Sequence, residues 1–202
     1  MIDDDQTMST QDQSDVLTIH HPLYFDGKGG EYFRIWIVNV LLSIITLGIY
    51  SAWATVRTRR YFYANLKLAG EGFEYHAEPM PILKGRIIAL IAFTLYSVSS
   101  ALSPLLGGIA AILLIFAIPP LILLSLRFSR RNTSYKNIRF NFQGGWKEAY
   151  MSILVWPLLS LLTLGLLFPL AQVKLKRFII NNSRYGTENF VFTGTYSDYG
   201  KL

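Results

Sequence analysis

Two glutamates at matching places in the chain have the clearest capacity for chemistry. Glu31 and Glu148 lie 117 positions apart, and each precedes a long uncharged stretch. Two carboxylates placed in this way could bind a cation or carry a proton. Ionisable residues beside membrane helices are often functional, so we keep this hypothesis. A glutamate in the first helical turn also stabilises the helix dipole, or it pairs with Arg34 or Lys147. The sequence favours this structural role and leaves the functional one open.

Other polar side chains sit in or beside apolar segments. Asn39 lies in the middle of an uncharged run, where a hydrogen bond between helices explains it and a substrate contact is the alternative. Cations cluster directly after the hydrophobic runs, and Arg57, Arg60 and Arg177 are the members we single out. Such flanking cations meet anionic lipid headgroups and set membrane topology.

No catalytic or metal site is expected from residue types and spacing. The chain has no cysteine, and its three histidines are too scattered in sequence for a metal site. The glycines at 27, 29 and 30 lack the strand, lysine and helix order of a phosphate loop. We therefore predict a protein that is not an enzyme and uses no cofactor.

The chain segments that position these residues form an internal repeat. Residues 25–77 align without a gap onto residues 142–194, and 16 of the 53 pairs are identical. Each copy contains one long apolar stretch, which predicts a duplicated membrane-embedded unit.

Hydropathy predicts an integral membrane protein, predominantly α-helical. Uncharged runs cover 35–56, 87–126 and 149–173, and about 20 apolar residues suffice to cross a bilayer. The middle run has room for two helices with a Ser/Gly/Pro-rich turn at 97–108. The predicted membrane helices are roughly 32–50, 86–103, 108–127 and 149–168.

Two glycines predict breaks in the outer helices. Gly48 and Gly165 each end a Thr-Leu-Gly sequence late in an apolar run, and Pro169 follows the second. Gly past a helix end and Pro at the next helix start are common punctuation. Short interfacial helices are then expected at about 52–66 and 169–182, although a continuous helix that tolerates its glycine is the alternative.

Short β-hairpins are predicted at the membrane surface. Asn65, Asn132 and Asn182 are each followed eight residues later by an aromatic-x-aromatic triplet, with Gly or Asn turn formers between. A further strand is expected at 17–25. The predicted units are an acidic disordered tail at 1–19, repeat unit 1 at 20–85, a two-helix hairpin at 86–127 and repeat unit 2 at 128–202.

The distribution of charge favours one topology and leaves another open. The chain has a net charge of +6, and all 19 basic residues lie outside the uncharged runs. Basic residues that flank apolar segments are typical of membrane proteins, so we do not expect nucleic acid as a partner. If four segments span, the two basic inter-helix loops are cytoplasmic and both termini lie outside. If the first and last helices instead dip and return at their glycines, every cation stays inside, but the broken backbone needs shielding, for example in a homo-oligomer. We favour four spans; both topologies place the termini on one side.

The first copy resembles a known family. The matching features are Phe25-x-Gly27, Glu31, Asn39, the run Thr46–Tyr50, Trp53-Ala54, Arg57, Arg60-Tyr61, Asn65 and Phe73-x-Tyr75. They are similar to the YjgN-like family of bacterial inner-membrane proteins, a domain of unknown function. The family pattern has Pro before the Trp, where this chain has Ala52. The resemblance implies a bacterial inner membrane and implies no activity.

Two functions remain as hypotheses from the sequence. The internal repeat and broken helices favour passage of a small solute or ion. The cationic clusters and surface hairpins favour a membrane-embedded scaffold or a lipid-interacting protein that binds partners or anionic headgroups.

Overall fold

The computed structural model describes residues 21–200, so the predicted acidic tail at 1–19 lies outside the described residues. Within that part of the chain most residues are helical. A π-helical segment, Met151–Val155, joins α5 to α6. The helices are α1 (Gly29–Ile45), α2 (Ser51–Asn65), α3 (Pro79–Leu102), α4 (Pro104–Arg131), α5 (Trp146–Tyr150), α6 (Trp156–Leu162), α7 (Phe168–Asn181) and α8 (Tyr196–Gly200).

Seven short strands form one antiparallel sheet in sequence order. The three predicted hairpins are confirmed, and they pair with one another as well as internally. The junctions between hairpins are fixed by Phe25↔Leu66, Phe73↔Tyr135 and Phe140↔Tyr185. The strands are β1 (Leu23–Phe25), β2 (Leu66–Leu68), β3 (Glu71–Tyr75), β4 (Thr133–Tyr135), β5 (Ile138–Phe142), β6 (Ser183–Tyr185) and β7 (Glu188–Asn189).

Three helical hairpins stand on this sheet. The segment α1–α2 leaves after β1 and returns to β2, α3–α4 leaves after β3 and returns to β4, and α5–α7 leaves after β5 and returns to β6. Contacts between Tyr32 and Tyr61 and between Asn39 and Thr58 show that α1 and α2 run antiparallel. The interfacial helices predicted at 52–66 and 169–182 are therefore the return arms of two hairpins.

The chain turns back at both predicted glycines, with the same geometry. Leu47 and Gly48 have φ of 50° and 90°, and Leu164 and Gly165 have φ of 51° and 90°. The Gly48 and Gly165 N–H groups each donate to the serine carbonyl five residues earlier, at 2.7 Å in both turns. The preceding threonine in each turn bonds the carbonyl four residues before it. The same local sequence thus folds in the same way twice.

The structure does not confirm four membrane helices. Among the described residues, only α3 and α4 are long and apolar enough to cross a bilayer. With 17 residues, α1 is about 25 Å long, too short for a typical hydrocarbon core. Because β1 is hydrogen-bonded to β2, both ends of the α1–α2 hairpin lie at the sheet. This pairing does not agree with the favoured topology, in which the first helix crosses and leaves the two strands on opposite sides.

The turn between α3 and α4 is shorter than the predicted loop at 97–108. Only Ser103 separates the helices, and its hydroxyl accepts the Leu105 N–H at 3.3 Å. Gly107 lies inside α4, where a Cβ would come within 2.9 Å of the Ser100 Cα. The glycine serves close helix packing, as small residues do between membrane helices, and does not mark a turn.

Three prolines interrupt helical hydrogen bonding, namely Pro119 and Pro120 in α4 and Pro157 in α6, and other groups compensate for two of them. Pro120 inside α4 has no N–H for the carbonyl of Phe116, four residues earlier. The Tyr150 hydroxyl, from α5, donates to that carbonyl at 3.0 Å. Pro157 follows the π-helical segment, which accommodates the missing donor in the third hairpin.

The packed core lies at the base of the helices, against the sheet. One cluster contains Leu123, Phe142, Ala149 and Phe178. A second contains Val56, Tyr75 and Ala77. Away from the sheet, α3 has no buried residue, and its large side chains and those of α4 are exposed. An apolar surface of this extent suits a lipid environment.

Candidate functional site

The three helices that return to the sheet each end at an asparagine that makes the same two hydrogen bonds. Asn65, Asn132 and Asn182 each donate their side-chain N–H to the carbonyl four residues earlier, at 2.8, 2.8 and 2.9 Å. Their backbone carbonyls accept the N–H of Asp26, His76 and Gln143 at the ends of neighbouring strands. Each asparagine therefore caps the end of its helix and ties that end to the sheet.

Aromatic rings cover one face of this sheet across four strands. Phe73 packs against Tyr135 with ring centroids 4.9 Å apart, and Phe140 against Tyr185 at 5.1 Å. Centroid distances of 6.2 Å connect Phe73 to Phe140 and Phe140 to Phe190. These rings, together with Tyr63 and two leucines of β2, line a cavity of about 440 Å³.

The polar atoms of this aromatic cavity are mostly occupied by the protein itself. The Tyr135 hydroxyl donates to the Leu68 carbonyl at 2.6 Å, and the Tyr185 hydroxyl to the Tyr135 carbonyl at 2.9 Å. The Thr133 hydroxyl donates to the Ser129 carbonyl at 2.9 Å. The walls therefore present chiefly ring faces and aliphatic groups.

Arg130 is the exception in this cavity. It comes from the last turn of α4, and its buried Nε has no hydrogen-bond partner among the described residues. Other arginines near the sheet have protein acceptors: Arg59 donates to the Tyr75 hydroxyl and Arg127 to the Gly144 carbonyl, both at 2.8 Å. A cationic donor buried without an acceptor is costly unless something else supplies one.

The paired glutamates lie on separate helical hairpins and have structural contacts. Glu148 is exposed, and it accepts from the Asn182 side chain at 3.1 Å and from the Gly145 backbone N–H at 3.5 Å at the start of α5. Glu31 is exposed in the first turn of α1. These positions agree with the dipole role. A shared cation or proton site for the two remains a prediction.

Asn39 lies in a cleft between α1 and α2. It is 5% exposed, its amide donates to the Thr58 hydroxyl at 3.5 Å, and its Oδ1 has no partner in the described residues. The cleft has a volume of about 540 Å³ and also contains Ser43, Thr55 and Arg59. The expected interhelical hydrogen bond is present, and one buried acceptor remains free.

The three singled-out arginines have different surroundings. Arg60 holds the carbonyls of Tyr75 and Ala77, both at 3.2 Å. Arg57 is exposed on α2. Arg177 lines a shallow cleft with Glu148 and Lys174.

A serine, a histidine and a glutamate meet on the sheet without forming a catalytic triad. The His76 Nε2 lies 2.7 Å from the Ser134 hydroxyl and 3.3 Å from Glu74, and that hydroxyl donates to the same carboxylate at 3.0 Å. A triad needs the carboxylate on the second imidazole nitrogen, so that the first can take the serine proton. Here both partners contact Nε2, and the cluster joins β3 to β4.

Hydrogen bonds shift the pKa of three exposed groups, Asp26, Lys67 and Asp198. The Lys67 ammonium, 2.7 Å away, hydrogen-bonds the Asp26 carboxylate and lowers its pKa, and the same bond raises the pKa of Lys67. Hydrogen bonds from Thr195 lower the pKa of Asp198. The Asp26 contribution to stability is lost as the pH falls through its lowered pKa, and the Lys67 contribution as the pH rises through its raised one.

Within the described part of the chain no cluster of three or more acidic or His ligands suits a metal.

Comparison with known proteins identifies the family. The family model described as bacterial protein of unknown function (DUF898) matches residues 20–202. The chain belongs to this family. It is 38% identical over 149 residues to the inner membrane protein YjgN of Salmonella typhimurium strain LT2, a match that covers 72% of this chain. It is 33% identical over 149 residues to the protein of that name in Escherichia coli strain K12, covering 73% of the chain.

This DUF898 protein is similar to only part of those relatives. The match spans 37% of the length of each. No solved structure matches the chain. The predicted YjgN-like family and the bacterial inner membrane are both confirmed.

Sequence reasoning missed the aromatic cavity of this DUF898 protein. The alternating aromatics at 73, 140 and 190 predicted hairpins with one apolar face, and that pattern is the signal that was present. Arg130 stands in a cluster with Arg127 and Arg131, and residue type does not distinguish the three. Only the fold shows that Arg130 is the one that lines the aromatic cavity.

Proposed function

We propose that this protein is a multi-pass inner-membrane protein that binds anionic lipid at the base of three membrane-inserted helical hairpins. The α3–α4 hairpin crosses the bilayer, while α1–α2 and α5–α7 enter from the cytoplasmic side and return. The observation that carries the proposal is that all three hairpins share one sheet and have apolar tips and cationic bases.

The tips of the short hairpins support insertion. Leu47 is 94% exposed and Leu164 is 99% exposed. In water such a display of leucine would be unfavourable, but in hydrocarbon it is favourable. Both turns satisfy most of their backbone groups internally, as a chain at membrane depth requires.

The bases of the hairpins support contact with headgroups. Cations occur at the sheet end of every hairpin, and the positive-inside rule assigns this end to the cytoplasm. Each exposed cation near an anionic leaflet contributes about 1 kcal/mol to attraction. These cations are Arg57, Arg59, Arg60, Lys84, Arg127, Arg131, Lys174, Lys176 and Arg177.

Accessibility labelling tests the membrane path. Because the natural chain has no cysteine, single cysteines can be placed at Gly30, Leu47, Gly108, Lys136 and Leu164. We expect a membrane-impermeant maleimide to label 30 and 136 only in inside-out vesicles. Position 108, near the α3–α4 turn, should react in intact spheroplasts. Positions 47 and 164 should resist labelling from both sides. Labelling of 47 in spheroplasts would show that α1 crosses and would refute the dipping hairpins.

Paired charge variants test lipid binding. Arg57→Gln with Lys176→Gln removes two exposed cations at the helix bases. Lys136→Gln with Arg139→Gln removes two exposed cations from the β4–β5 hairpin. We expect the first pair to lower the preference for anionic over zwitterionic lipid in nanodiscs by about fivefold per cation. The second pair should change it little. If the two double variants lowered this lipid preference equally, binding would depend on net charge alone and not on the helix bases.

Passage of a small solute or ion is the second candidate. The free Oδ1 of Asn39, buried beside Ser43, Thr55 and Thr58, favours it, because an unpartnered polar group buried in a membrane-inserted hairpin is costly and often functional. Proteoliposomes that show flux in the natural protein and none in Asn39→Leu would support this candidate.

A further inference from the structure

We propose that the aromatic cavity beneath the helices binds a single-chain amphiphile with an anionic oxygen head, and that Arg130 holds the head. This site lies inside the fold and is separate from the exposed cations that would meet the bulk lipid surface. The inference therefore goes beyond the lipid contact proposed above, and it does not depend on the path of the short hairpins.

The charge of the cavity selects an anion. Arg130 is the one charged residue that lines the cavity, and its buried Nε has no acceptor among the described residues. No described carboxylate lies within ion-pair distance of it, although Lys67, Lys136 and His76 have such partners. The residues lining the cavity include no Asp or Glu. A carboxylate or phosphate oxygen would supply the missing acceptor with a charge-assisted bond.

The walls select an apolar body for the same ligand. The hydroxyls of Tyr135 and Tyr185 are committed to backbone carbonyls, so their rings offer faces and no free donors. Leu66 and Leu68 complete the wall on the side of β2. A ligand rich in polar groups would leave those groups without hydrogen-bond partners here, whereas a hydrocarbon chain is stabilised when its apolar surface leaves water.

The size of the cavity selects one chain. Ligand pockets of drug-sized molecules measure about 300–1,000 Å³. At about 440 Å³, this cavity belongs to the lower part of that range. Such a volume suits a medium-length single chain and is too small for a diacyl phospholipid.

Photolabelling of the full chain in nanodiscs tests the proposal. The probe is a ten-carbon fatty acid bearing a diazirine, and the labelled residues are located by mass spectrometry. We expect saturable labelling of residues lining the cavity. Decanoate and decyl phosphate should both compete, which shows the anionic head, and their relative strength identifies whether a carboxylate or a phosphate monoester is preferred. The uncharged 1-decanol should compete at least tenfold less well.

Two variants and one matched control decide the result. Arg130→Gln should weaken competition by decanoate roughly tenfold or more, the range of a charge-assisted hydrogen bond. Arg131→Gln, the exposed neighbour on the same helical turn, should leave it unchanged. Leu68→Trp should block labelling while Arg130 stays in place, which keeps the test valid if Arg130→Gln does not fold. Labelling that does not saturate, or that is equal in the two arginine variants, would overturn the proposal, whether or not bulk lipid binding survives.

Discussion

Leu123→Ala is expected to lower the free energy of unfolding by about 2–5 kcal/mol. Leu123 is fully buried and forms one core cluster with Phe142, Ala149 and Phe178. These residues come from α4, β5, α5 and α7, so the side chain joins the spanning hairpin to the third hairpin and the sheet. Truncation leaves a cavity whose walls lose dispersion contacts, a cost that does not depend on whether water or lipid surrounds the protein.

The neighbouring leucine provides the control for this prediction. Leu124 follows on the same helix but is 50% exposed. Leu and Ala have similar helix propensity, so Leu124→Ala should change stability by no more than about 0.5 kcal/mol. Denaturant titration of both variants in the same detergent measures the difference. Equal losses in the free energy of unfolding would mean that α4 is not packed against the sheet at Leu123.

The sequence predicted those parts of the fold that local chemistry determines. Apolar run lengths located the helices, and Gly48 and Gly165 located the turns, because a positive φ at those positions requires a residue without a Cβ. The asparagine spacing located the hairpins. Each of these signals is contained within about ten residues, so no tertiary contact was needed to interpret it.

The parts that the sequence did not predict depend on contacts between distant residues. Whether the first helix crosses or returns depends on the pairing of Phe25 with Leu66. The turn expected within 97–108 is present at Ser103 but is shorter than predicted, because Gly107 lies inside α4 and packs against Ser100. Arg130 could not be separated from Arg127 because both are arginines at the end of α4, and only the fold gives Arg127 a carbonyl and leaves the Arg130 Nε without one.

The double variant Gly48→Ala with Gly165→Ala is expected to lower the free energy of unfolding by about 2–4 kcal/mol. Both glycines have φ of 90°, where an L-residue costs roughly 1–2 kcal/mol at each site. A Cβ would meet no atom within 4 Å at either position, so backbone conformation alone would cause the loss. The two turns belong to separate hairpins, and their effects should therefore add.

A second pair of glycines supplies the matched control, because the same substitution there should stabilise the protein. Gly85 and Gly108 also have open space for a Cβ, but they lie inside α3 and α4 without a positive φ. Gly85→Ala with Gly108→Ala should raise stability by about 0.5–1 kcal/mol per site, because alanine favours a helix interior. The same two-methyl addition should thus have opposite effects at turns and in helices. If the turn pair were neutral or stabilising, the chain would continue as a helix through Gly48 and Gly165, and the dipping hairpins would be wrong together with the lipid contact built on them.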